Sequence, residues 1–487
     1  MADRVEHIPV TIVGAGFAGI AMTRELHELG INEFVVLERN EDLGGTWLEN
    51  TYPGCACDVA SVLYSFSFAP NPDWGWFFSP QKEILAYLRR VAREVGMDRH
   101  VRYGVELLEA QWDDDDRLWR LTTNKGELTT DILVSAMGMF GDPVIPRLEG
   151  IEKFEGLAFH SRDWPHDVPM RGRRVAVIGT GPSAIQFVPA IQPEVEQMTV
   201  FQRTPPWVLP RFQRQTLRLE RLLARRVPPV QRLQRLMIYL ITETLGLVIF
   251  VNKRFGAMYH AVARWHMRRQ LPDPELRARV EPDYVVGCKR AILSDDWYPA
   301  LAAPNVTVVD GTVREVREHS VVAEDGTEIP VDTIIYGTGF EIPQRGIDRI
   351  YGRDGRTIGQ LYDERPASYN GVALAGFPNY FGFFGAFGNP ANQSAVYIIE
   401  AQARYISSAI AELRERGIRR AEVLPERQEQ FVAEAERRSR DTVWLNGGCR
   451  SYYQTPDGRN NGLWPNWSFV YRKRMARFDP DAYVLEH

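Results

Sequence analysis

Two glycine-rich motifs, each lying between an apolar run and a helical pattern, constrain this chain more than any other feature. They read VGAGFAG and VIGTGPSA, and their small residues are Gly14, Gly16 and Gly19, then Gly179, Gly181 and Ala184. In a strand–turn–helix unit these residues permit a tight turn, close approach of a pyrophosphate to the backbone, and helix–strand packing. Free N–H groups at the helix N-terminus then hold the phosphate. The pair predicts an α/β fold with two Rossmann-like dinucleotide-binding domains.

The end of the strand after each motif predicts which nucleotide binds there. The strand EFVVLERN brings Glu38 about 20 residues beyond the first motif, where a carboxylate suits a ribose diol and repels a 2′-phosphate. The strand QMTVFQRTP instead brings Arg203 and Thr204, and a guanidinium can pair with a 2′-phosphate through forked hydrogen bonds. FAD is therefore expected at the first motif, and NADP(H) rather than NAD(H) at the second.

Two further apolar runs predict how the chain is divided. TDILVSAMG and VDTIIYGTG both end in glycine, and each would return the chain to a nucleotide-binding sheet after an insertion. We expect a split FAD domain over 1–145 and 341–487 and an NADP domain over 146–207 and 286–340. A helical insertion is expected over 208–285.

Composition excludes several classes of protein. A net charge of −5 over 487 residues argues against nucleic acid as the main partner. Four cysteines are too few for a disulfide framework, and MADRVEHIPV lacks the apolar core of a secretory signal. No metal site is predicted. The expected location is a reducing cytoplasm.

One apolar segment, 236–251 (LMIYLITETLGLVIFV), tests that expectation. It is shorter than the about 20 residues of a membrane-spanning helix, and Glu243 falls inside it. An arginine-rich stretch precedes it, as in a basic amphipathic helix on a membrane surface. A buried helix within the helical insertion is the favoured interpretation.

The stretch GGTWLENTYPGCACD, 44–58, bears on the type of flavin chemistry. Its two cysteines, Cys55 and Cys57, are separated by one residue, which makes a bridge between them strained and argues against a disulfide reductase. Paired glycines permit close backbone approach, Trp47 and Tyr52 offer flat faces, and Asp58 brings a carboxylate toward the flavin.

Together with FEGLAFHSRDWP, 154–165, this stretch resembles the type I Baeyer–Villiger monooxygenases, whose fingerprint is FxGxxxHxxxWP. The fingerprint positions are Phe154, Gly156, His160, Trp164 and Pro165. A second signature of that family is matched by Gly44, Trp47, Tyr52, Pro53, Gly54 and Asp58. The resemblance runs from about residue 8 to about residue 470.

This resemblance implies an NADPH- and O2-dependent flavoprotein that inserts one oxygen next to a ketone carbonyl, giving an ester or lactone. It makes Arg290 and Asp58 catalytic: Arg290 would stabilise a flavin peroxide and the alkoxide formed by its attack, with Asp58 holding the guanidinium. Lys289 would help to hold the 2′-phosphate alongside Arg203 and Thr204. Three alternatives stay open: a sulfur- or nitrogen-oxygenating enzyme, a reductase that passes electrons to another protein, and an uncoupled oxidase or non-catalytic sensor.

Further cofactor contacts are expected around these motifs. On the FAD side they are Ala15, Phe17, Ala18, Gly45, Thr46, Trp47, Ala56, Cys57, Tyr64, Val105 and Ala395. On the NADP side they are Pro182, Ser183, Gln186 and Tyr452. The sequence SYY at 451–453 departs from the family's more usual Ser-Trp-Tyr, so Tyr452 replaces an indole near the nicotinamide ribose.

The fingerprint itself is interpreted as a linker between the two dinucleotide sites. Phe154 and Trp164 are expected to anchor it by packing. His160 either changes hydrogen-bond partner as one domain shifts on the other, which couples the two half-reactions, or is a satisfied histidine in a structural staple.

Overall fold

The computed structural model describes residues 5–342, 346–389 and 392–487. These residues form fourteen α-helices and twenty strands. The strands are β1 Glu6–Val13, β2 Phe34–Glu38, β3 Val101–Tyr103, β4 Leu107–Asp113, β5 Leu118–Thr123, β6 Gly126–Ser135, β7 Leu157–His160, β8 Arg174–Ile178, β9 Gln197–Gln202, β10 Val208–Leu209, β11 Ile292–Leu293, β12 Val306–Asp310, β13 Val313–Arg317, β14 Ser320–Ala323, β15 Glu328–Pro330, β16 Thr333–Tyr336, β17 Ile350–Tyr351, β18 Tyr380–Gly382, β19 Arg420–Val423 and β20 Tyr483–Glu486. The helices are α1 Phe17–Glu28, α2 Thr46–Glu49, α3 Gln81–Glu94, α4 Pro182–Ile191, α5 Arg218–Arg226, α6 Pro228–Glu243, α7 Gly256–Gln270, α8 Pro274–Val280, α9 Trp297–Leu301, α10 Ile358–Glu364, α11 Ala395–Glu415, α12 Pro425–Ser439, α13 Val443–Asn446 and α14 Ser468–Arg474.

The larger sheet contains the first glycine motif. Its eight strands run in the order β17-β4-β5-β6-β1-β2-β3, with β18 also paired to β6. Strand β1 pairs in parallel with β2 and β6, and all five residues of β2 are buried. A strand covered on both faces reads as a continuous apolar run, because neither face meets water. Helices α1 and α11 pack together beside this sheet.

The second sheet contains the second glycine motif. Its five strands, β12-β9-β8-β16-β7, pair in parallel throughout. Strand β7 is one of the two edge strands and lies in the segment interpreted above as a linker, so that interpretation is wrong for 157–160. The four residues LAFH are too few, and show no alternation, to be recognised as a strand without the partner β16. The two sheets confirm the predicted fold class.

Helices α5 to α8 lie between β10 and β11, which pair in parallel through Val208–Ile292 and Leu209–Leu293. Within the described residues, Pro228–Val251 is the helical stretch long and apolar enough by composition to cross a membrane. The prediction of a buried helix is wrong for its first part, since Leu236, Met237, Leu240 and Ile241 are exposed. Apolar composition alone does not say which face of a helix meets the protein.

The cysteines also differ from expectation. Cys288 and Cys449 form a disulfide across 161 residues, which the cysteine count did not predict. The pairing could not be predicted from the sequence, because the two cysteines lie far apart along the chain and only the fold brings their loops together. Cys55 and Cys57 are free and buried. Burial raises the pKa of the Cys55 thiol to about 12 and raises that of Cys57 as well, so both stay protonated at neutral pH.

Candidate active site

The first glycine motif forms a turn that only glycine fits. Gly14 has a φ of +110°, and a Cβ there would lie 2.5 Å from the carbonyl oxygen of Ala136. A Cβ on Gly19 would overlap the carbonyl oxygen of Gly14. Helix α1 begins just after Gly16, which provides no side-chain cap, so its first N–H groups are free for an anion. This turn fits the pyrophosphate of a dinucleotide.

Glu38 is the last residue of β2, where the sequence predicts a contact with the ribose. Its carboxylate is buried and accepts hydrogen bonds from the backbone N–H of Ala15 at 2.8 Å and of Asn40 at 2.9 Å. The backbone N–H of Val105 donates to the carbonyl oxygen of Glu38 at 2.9 Å. These bonds hold the carboxylate beside the glycine turn, where the sequence predicted a ribose contact.

Residues 44–64 cover the same turn. Gly45 has a φ of +53°, and a Cβ there would lie 3.4 Å from the Cα of Gly16, so the two glycine stretches approach closely. Helix α2 begins at Thr46. The indole N–H of Trp47 donates to the hydroxyl oxygen of Tyr64 at 3.0 Å, and the ring of Phe17 packs edge-on against Tyr64 at 5.1 Å. Ala18 is buried in the first turn of α1 behind them.

The second glycine motif has the same geometry on the other sheet. Gly179 has a φ of +103°, and a Cβ there would lie 2.6 Å from the carbonyl oxygen of Gly337. Helix α4 begins at Pro182, with Gly181 as an N-cap that has no side chain. Ala184 is fully buried, and a Cβ on Gly337 would lie 3.1 Å from its methyl group. Ser183 lies in the first turn of α4.

Gln186 and Ala56 join the two halves of the site. The side chain of Gln186 donates to the carbonyl oxygen of Ala56 at 2.9 Å and accepts from its N–H at 3.2 Å. The hydroxyl of Tyr52 donates to the same amide oxygen at 3.1 Å. The sequence predicted cofactor contacts for Gln186 and Ala56; in the structure these groups bind each other, which fixes α4 against the 44–58 stretch.

Two cations lie together where a 2′-phosphate is expected. Burial and the nearby charge of Arg203 lower the pKa of Lys289. The Lys289 ammonium lies 5.1 Å from the ring centre of Tyr284. Neither cation makes an ion pair with a carboxylate of the described residues, and the carbonyl oxygen of Thr204 accepts from Thr180 at 3.5 Å. The charge of Asp283 opposes the lowering of the Lys289 pKa but forms no ion pair with the ammonium. Two nearby cations that make no ion pair fit a dianionic phosphate.

Asp58 and Arg290 form a bidentate ion pair. The Nε and Nη2 atoms of Arg290 donate to Asp58 at 2.9 and 2.7 Å. The Arg290 side chain is 39% exposed and that of Asp58 20%, so the pair borders an opening in the protein. The carboxylate raises the pKa of Arg290 well above its usual value, with smaller contributions from Tyr452 and Tyr453.

A second arginine, which the sequence prediction did not assign to the site, lies beside this pair. The Nη2 of Arg211 donates to the carbonyl oxygen of Cys57 at 2.8 Å, and its backbone N–H donates to Asp295 at 2.8 Å. Burial lowers the pKa of Arg211, opposed by the charge of Asp58. Pairing of β10 with β11 brings Arg211 close enough to Asp58 for their charges to interact, without a hydrogen bond between them. No sequence signal singled it out, because it lies in the arginine-rich stretch before 236–251 and the two-residue strand β10 is recognised only by its pairing with β11.

The loop at 449–453 closes against the Lys289–Arg290 segment. The Cys288–Cys449 disulfide ties the two together, and the Ser451 hydroxyl donates to the carbonyl oxygen of Cys288 at 3.3 Å. Tyr453 is buried whereas Tyr452 is exposed. A cleft of about 510 Å³ opens beside Tyr452. Asp58 and Arg290 do not line that cleft, whereas Tyr452 lines it and also contributes to the raised pKa of Arg290.

The fingerprint residues pack at the edge of the second sheet. A Cβ on Gly156 would overlap both the carbonyl oxygen of Asp332 and the ring of Phe154. Trp164 packs on Phe187 of α4 at 5.5 Å between ring centres. Pro165 follows, and its carbonyl oxygen accepts from Val168.

His160 is buried within this packing. Its Nδ1 accepts from the backbone N–H of Arg162 at 3.2 Å, and its ring packs edge-on against Phe340 at 5.3 Å. Burial lowers its pKa, so the imidazole is neutral at neutral pH. The guanidinium of Arg162 forms ion pairs with the carboxylates of Glu49 at 3.5 Å and Asp142 at 3.7 Å. These pairs link the fingerprint to the segments that follow β2 and β6 of the first sheet.

Ala395 begins α11, and the loop before it is held by α6. Ser394 caps the helix by accepting from the N–H of Val396 at 3.2 Å. The amide of Asn392 donates to the buried carboxylate of Glu243 at 2.8 Å. The sequence predicted a flavin contact at Ala395, and the structure places the capped start of a helix there.

Comparisons with known proteins agree with this geometry. Residues 8–348 match the flavin-binding monooxygenase-like family. A Baeyer-Villiger monooxygenase of Streptomyces coelicolor is 42% identical over 482 residues, covering 99% of this chain and 93% of that protein. One of Pseudomonas aeruginosa is 41% identical over 485 residues, covering 98% and 92%. The crystal structure of a cyclohexanone monooxygenase from Rhodococcus sp. Phi1 bound to NADP+ has a TM-score of 0.87 at 26% identity, covering 99% of this chain and 100% of that one.

Two parallel sheets, each with a glycine turn fitted to a dinucleotide, define a flavoprotein with two nucleotide sites. The chain belongs to the flavin-binding monooxygenase-like family and, within it, to the Baeyer–Villiger monooxygenases. The predicted family, enzyme class and FAD–NADP(H) pair are confirmed by these relationships.

Proposed function

We propose that this enzyme uses NADPH and O2 to insert one oxygen next to the carbonyl of a small-molecule ketone, giving an ester or lactone. The observation that carries the proposal is the bidentate Asp58–Arg290 pair beside the flavin-side stretch 44–58. Such a pair keeps a full positive charge in a fixed orientation. Oxygen insertion next to a carbonyl needs that charge, because negative charge develops on oxygen during the reaction.

The cofactor positions follow from the two turns. We propose that the α1 turn holds the FAD pyrophosphate and Glu38 its ribose, and that the α4 turn holds NADPH with Arg203 and Lys289 on the 2′-phosphate. When bound and reduced, the flavin supplies the activated oxygen. We also propose the domain division 1–145 with 341–487, 146–207 with 286–340, and 208–285; the cytoplasmic location stays a prediction.

Arg290 is the proposed catalytic cation. A guanidinium has five N–H donors, and two atoms, Nε and Nη2, donate to Asp58. The remaining N–H groups are free to face substrate oxygen. Because Asp58 raises its pKa, Arg290 stays charged over the whole working pH range. Asp58 and Arg211 act as positioning residues, since they contact Arg290 or its surroundings rather than the substrate.

The test separates binding from chemistry. Arg290→Ala and Arg290→Lys are purified with FAD, and NADPH oxidation and oxygenated product are measured on linear, cyclic and aryl ketones and on thioethers. Removing one stabilising donor group costs about 10²–10³ in rate, so we expect product formation to fall by that factor while flavin reduction by NADPH persists. Arg147→Ala, at an exposed arginine, is the matched control.

Two results would refute the proposal. Undiminished ester or lactone formation by Arg290→Ala would remove Arg290 from the chemistry. Oxidation of thioethers with no ketone product from the wild-type enzyme would favour the heteroatom-oxygenating alternative.

A further inference from the structure

Helix α6 turns its polar face toward the protein. Gln231, Arg235, Tyr239 and Glu243 recur every four residues, so they share one face. Each is bonded inward: Gln231 to Asn71, Arg235 to Val62 and Ser65, Tyr239 to Ser468, and Glu243 to Asn392 and Ser468, at 2.6 to 3.0 Å. An ordinary surface helix does the reverse and buries its apolar face.

The opposite face of α6 is apolar and open to solvent. Its residues follow the spacing i, i+3, i+4, i+7, i+8 of a single helical stripe: Leu233, Leu236, Met237, Leu240 and Ile241. These side chains are between 50 and 62% exposed. The stripe therefore lacks a covering element among the described residues.

The neighbouring helices extend this apolar surface. Helix α5, which packs on α6, exposes Leu219, Leu222 and Leu223, and α7, joined to α6 through Thr244 and Tyr259, exposes Met258 and Trp265. Of the 26 large apolar residues that are exposed in the described chain, 17 lie within 212–265. An apolar concentration of this kind on a soluble protein marks an interaction site.

The same region carries a strong positive charge. Residues 210–270 contain thirteen Lys and Arg but only two acidic residues, Glu220 and Glu243, in a chain whose net charge is −5. Seven of these arginines have no carboxylate partner among the described residues: Arg218, Arg221, Arg226, Arg232, Arg254, Arg268 and Arg269. Their long side chains can reach from an apolar layer to its charged boundary.

We infer that α5, α6 and α7 form a docking surface for an anionic lipid bilayer, with the apolar stripe inserted at the headgroup boundary. Apolar residues combined with unpaired arginines suit that boundary, because acyl chains cover the first and anionic headgroups neutralise the second. The helix lies in the interface and does not span the membrane, since its polar face is bonded to the protein along its whole length.

A second copy of the chain fits this surface less well. A two-fold interface sets the same patch of one subunit against that of the other. The seven unpaired arginines would then face each other without counter-charges. This inference is independent of the reaction proposed above, since it depends on no residue of the ion pair or the nucleotide turns.

The test is co-sedimentation of the full-length, FAD-loaded protein with vesicles of phosphatidylcholine containing about 30% phosphatidylglycerol, against pure phosphatidylcholine. We expect wild-type protein to bind the anionic vesicles and to be released as salt rises from about 50 to 500 mM. The variants Leu236→Ser/Ile241→Ser and Arg226→Gln/Arg232→Gln should each lower the partition coefficient about tenfold or more. Leu29→Ser, at an exposed leucine outside the surface, should bind as wild type.

Two outcomes would overturn the inference. The first is no sedimentation of wild-type protein with anionic vesicles at low salt. The second is a dimer, measured by sedimentation equilibrium, that Leu236→Ser/Ile241→Ser dissociates while vesicle binding is unaffected by the same change. Thermal unfolding of each variant verifies that it is folded.

Discussion

Arg290 donates two hydrogen bonds to Asp58, a residue 232 positions earlier in the chain, at 2.9 and 2.7 Å. The pairing joins the segment after the helical insertion to the glycine-rich stretch that covers the first nucleotide turn. It holds a guanidinium at the junction of the two nucleotide folds. The charge of Asp58 also acts on Arg211, so removal of Asp58 would leave Arg290 without its ion-pair partner and Arg211 with one neighbouring carboxylate fewer.

Replacing Asp58 by Asn keeps the shape of the side chain and removes its charge. We expect kcat for the oxygenated product to fall about tenfold or more, because misplacement of a catalytic group by about 1 Å can cost 10²-fold. KM for NADPH should change little, since Arg203 and Lys289 are untouched. Steady-state kinetics with product analysis measures both, with Asp167→Asn, at an exposed aspartate, as control. A fall in kcat accompanied by a comparable rise in KM for NADPH would instead indicate a general structural defect.

The Arg203–Lys289 pair predicts a pH-dependent preference for NADPH. Since burial and Arg203 lower the pKa of Lys289, its ammonium loses the proton at a lower pH than an ordinary lysine. KM for NADPH should therefore rise on the alkaline side, whereas KM for NADH should not. Lys289→Arg should flatten the rise, because a guanidinium stays charged. Lys82→Arg, at an exposed lysine, is the control. Identical alkaline profiles for the wild type and Lys289→Arg would contradict this assignment.

The Cys288–Cys449 disulfide should stabilise the fold. It closes a loop across 161 residues, and a native disulfide typically contributes about 2–4 kcal/mol to the free energy of unfolding. Reduction of the wild type, or Cys449→Ser, should lower the unfolding midpoint, and Cys449→Ser should no longer respond to reductant. Cys55→Ala, at a free buried thiol, should keep the response. A wild-type midpoint unchanged by reductant would show that the bridge contributes nothing.

His160 should make stability depend on pH. Because burial lowers its pKa in the folded protein, the unfolded chain binds a proton that the folded chain does not as pH falls below about 6.5. Stability is then full above that pH and is lost as pH falls. His160→Gln should show a shallower loss in denaturant titrations between about pH 5 and 7. His319→Gln, at an exposed histidine, should keep the wild-type slope.

The same His160 variant distinguishes the two interpretations of the fingerprint. A coupling role predicts less oxygenated product for each NADPH oxidised. A structural staple predicts an unchanged ratio, with loss of stability only. The packing of Trp164 on Phe187 and the burial of His160 are the contacts that a staple requires.

The sequence by itself determined the features that depend on neighbouring residues. Gly14 and Gly179 could be predicted because a turn at positive φ next to a carbonyl excludes a side chain whatever surrounds it. Glu38 and Arg203 could be predicted because the strand that follows each motif ends at a known place in the unit. These local rules were sufficient for the fold class and for both nucleotides.

Only the tertiary structure decided which distant residues meet. Gln186 with Ala56 and Cys288 with Cys449 are brought together by strand pairing and loop packing, which no local pattern encodes. The resemblance implied that Asp58 holds Arg290, but the bidentate geometry of that pair comes from the fold. It also decided the orientation of α6. Periodicity shows that a helix has a polar and an apolar face, but which face meets the protein depends on the hydrogen-bond partners that the rest of the fold presents.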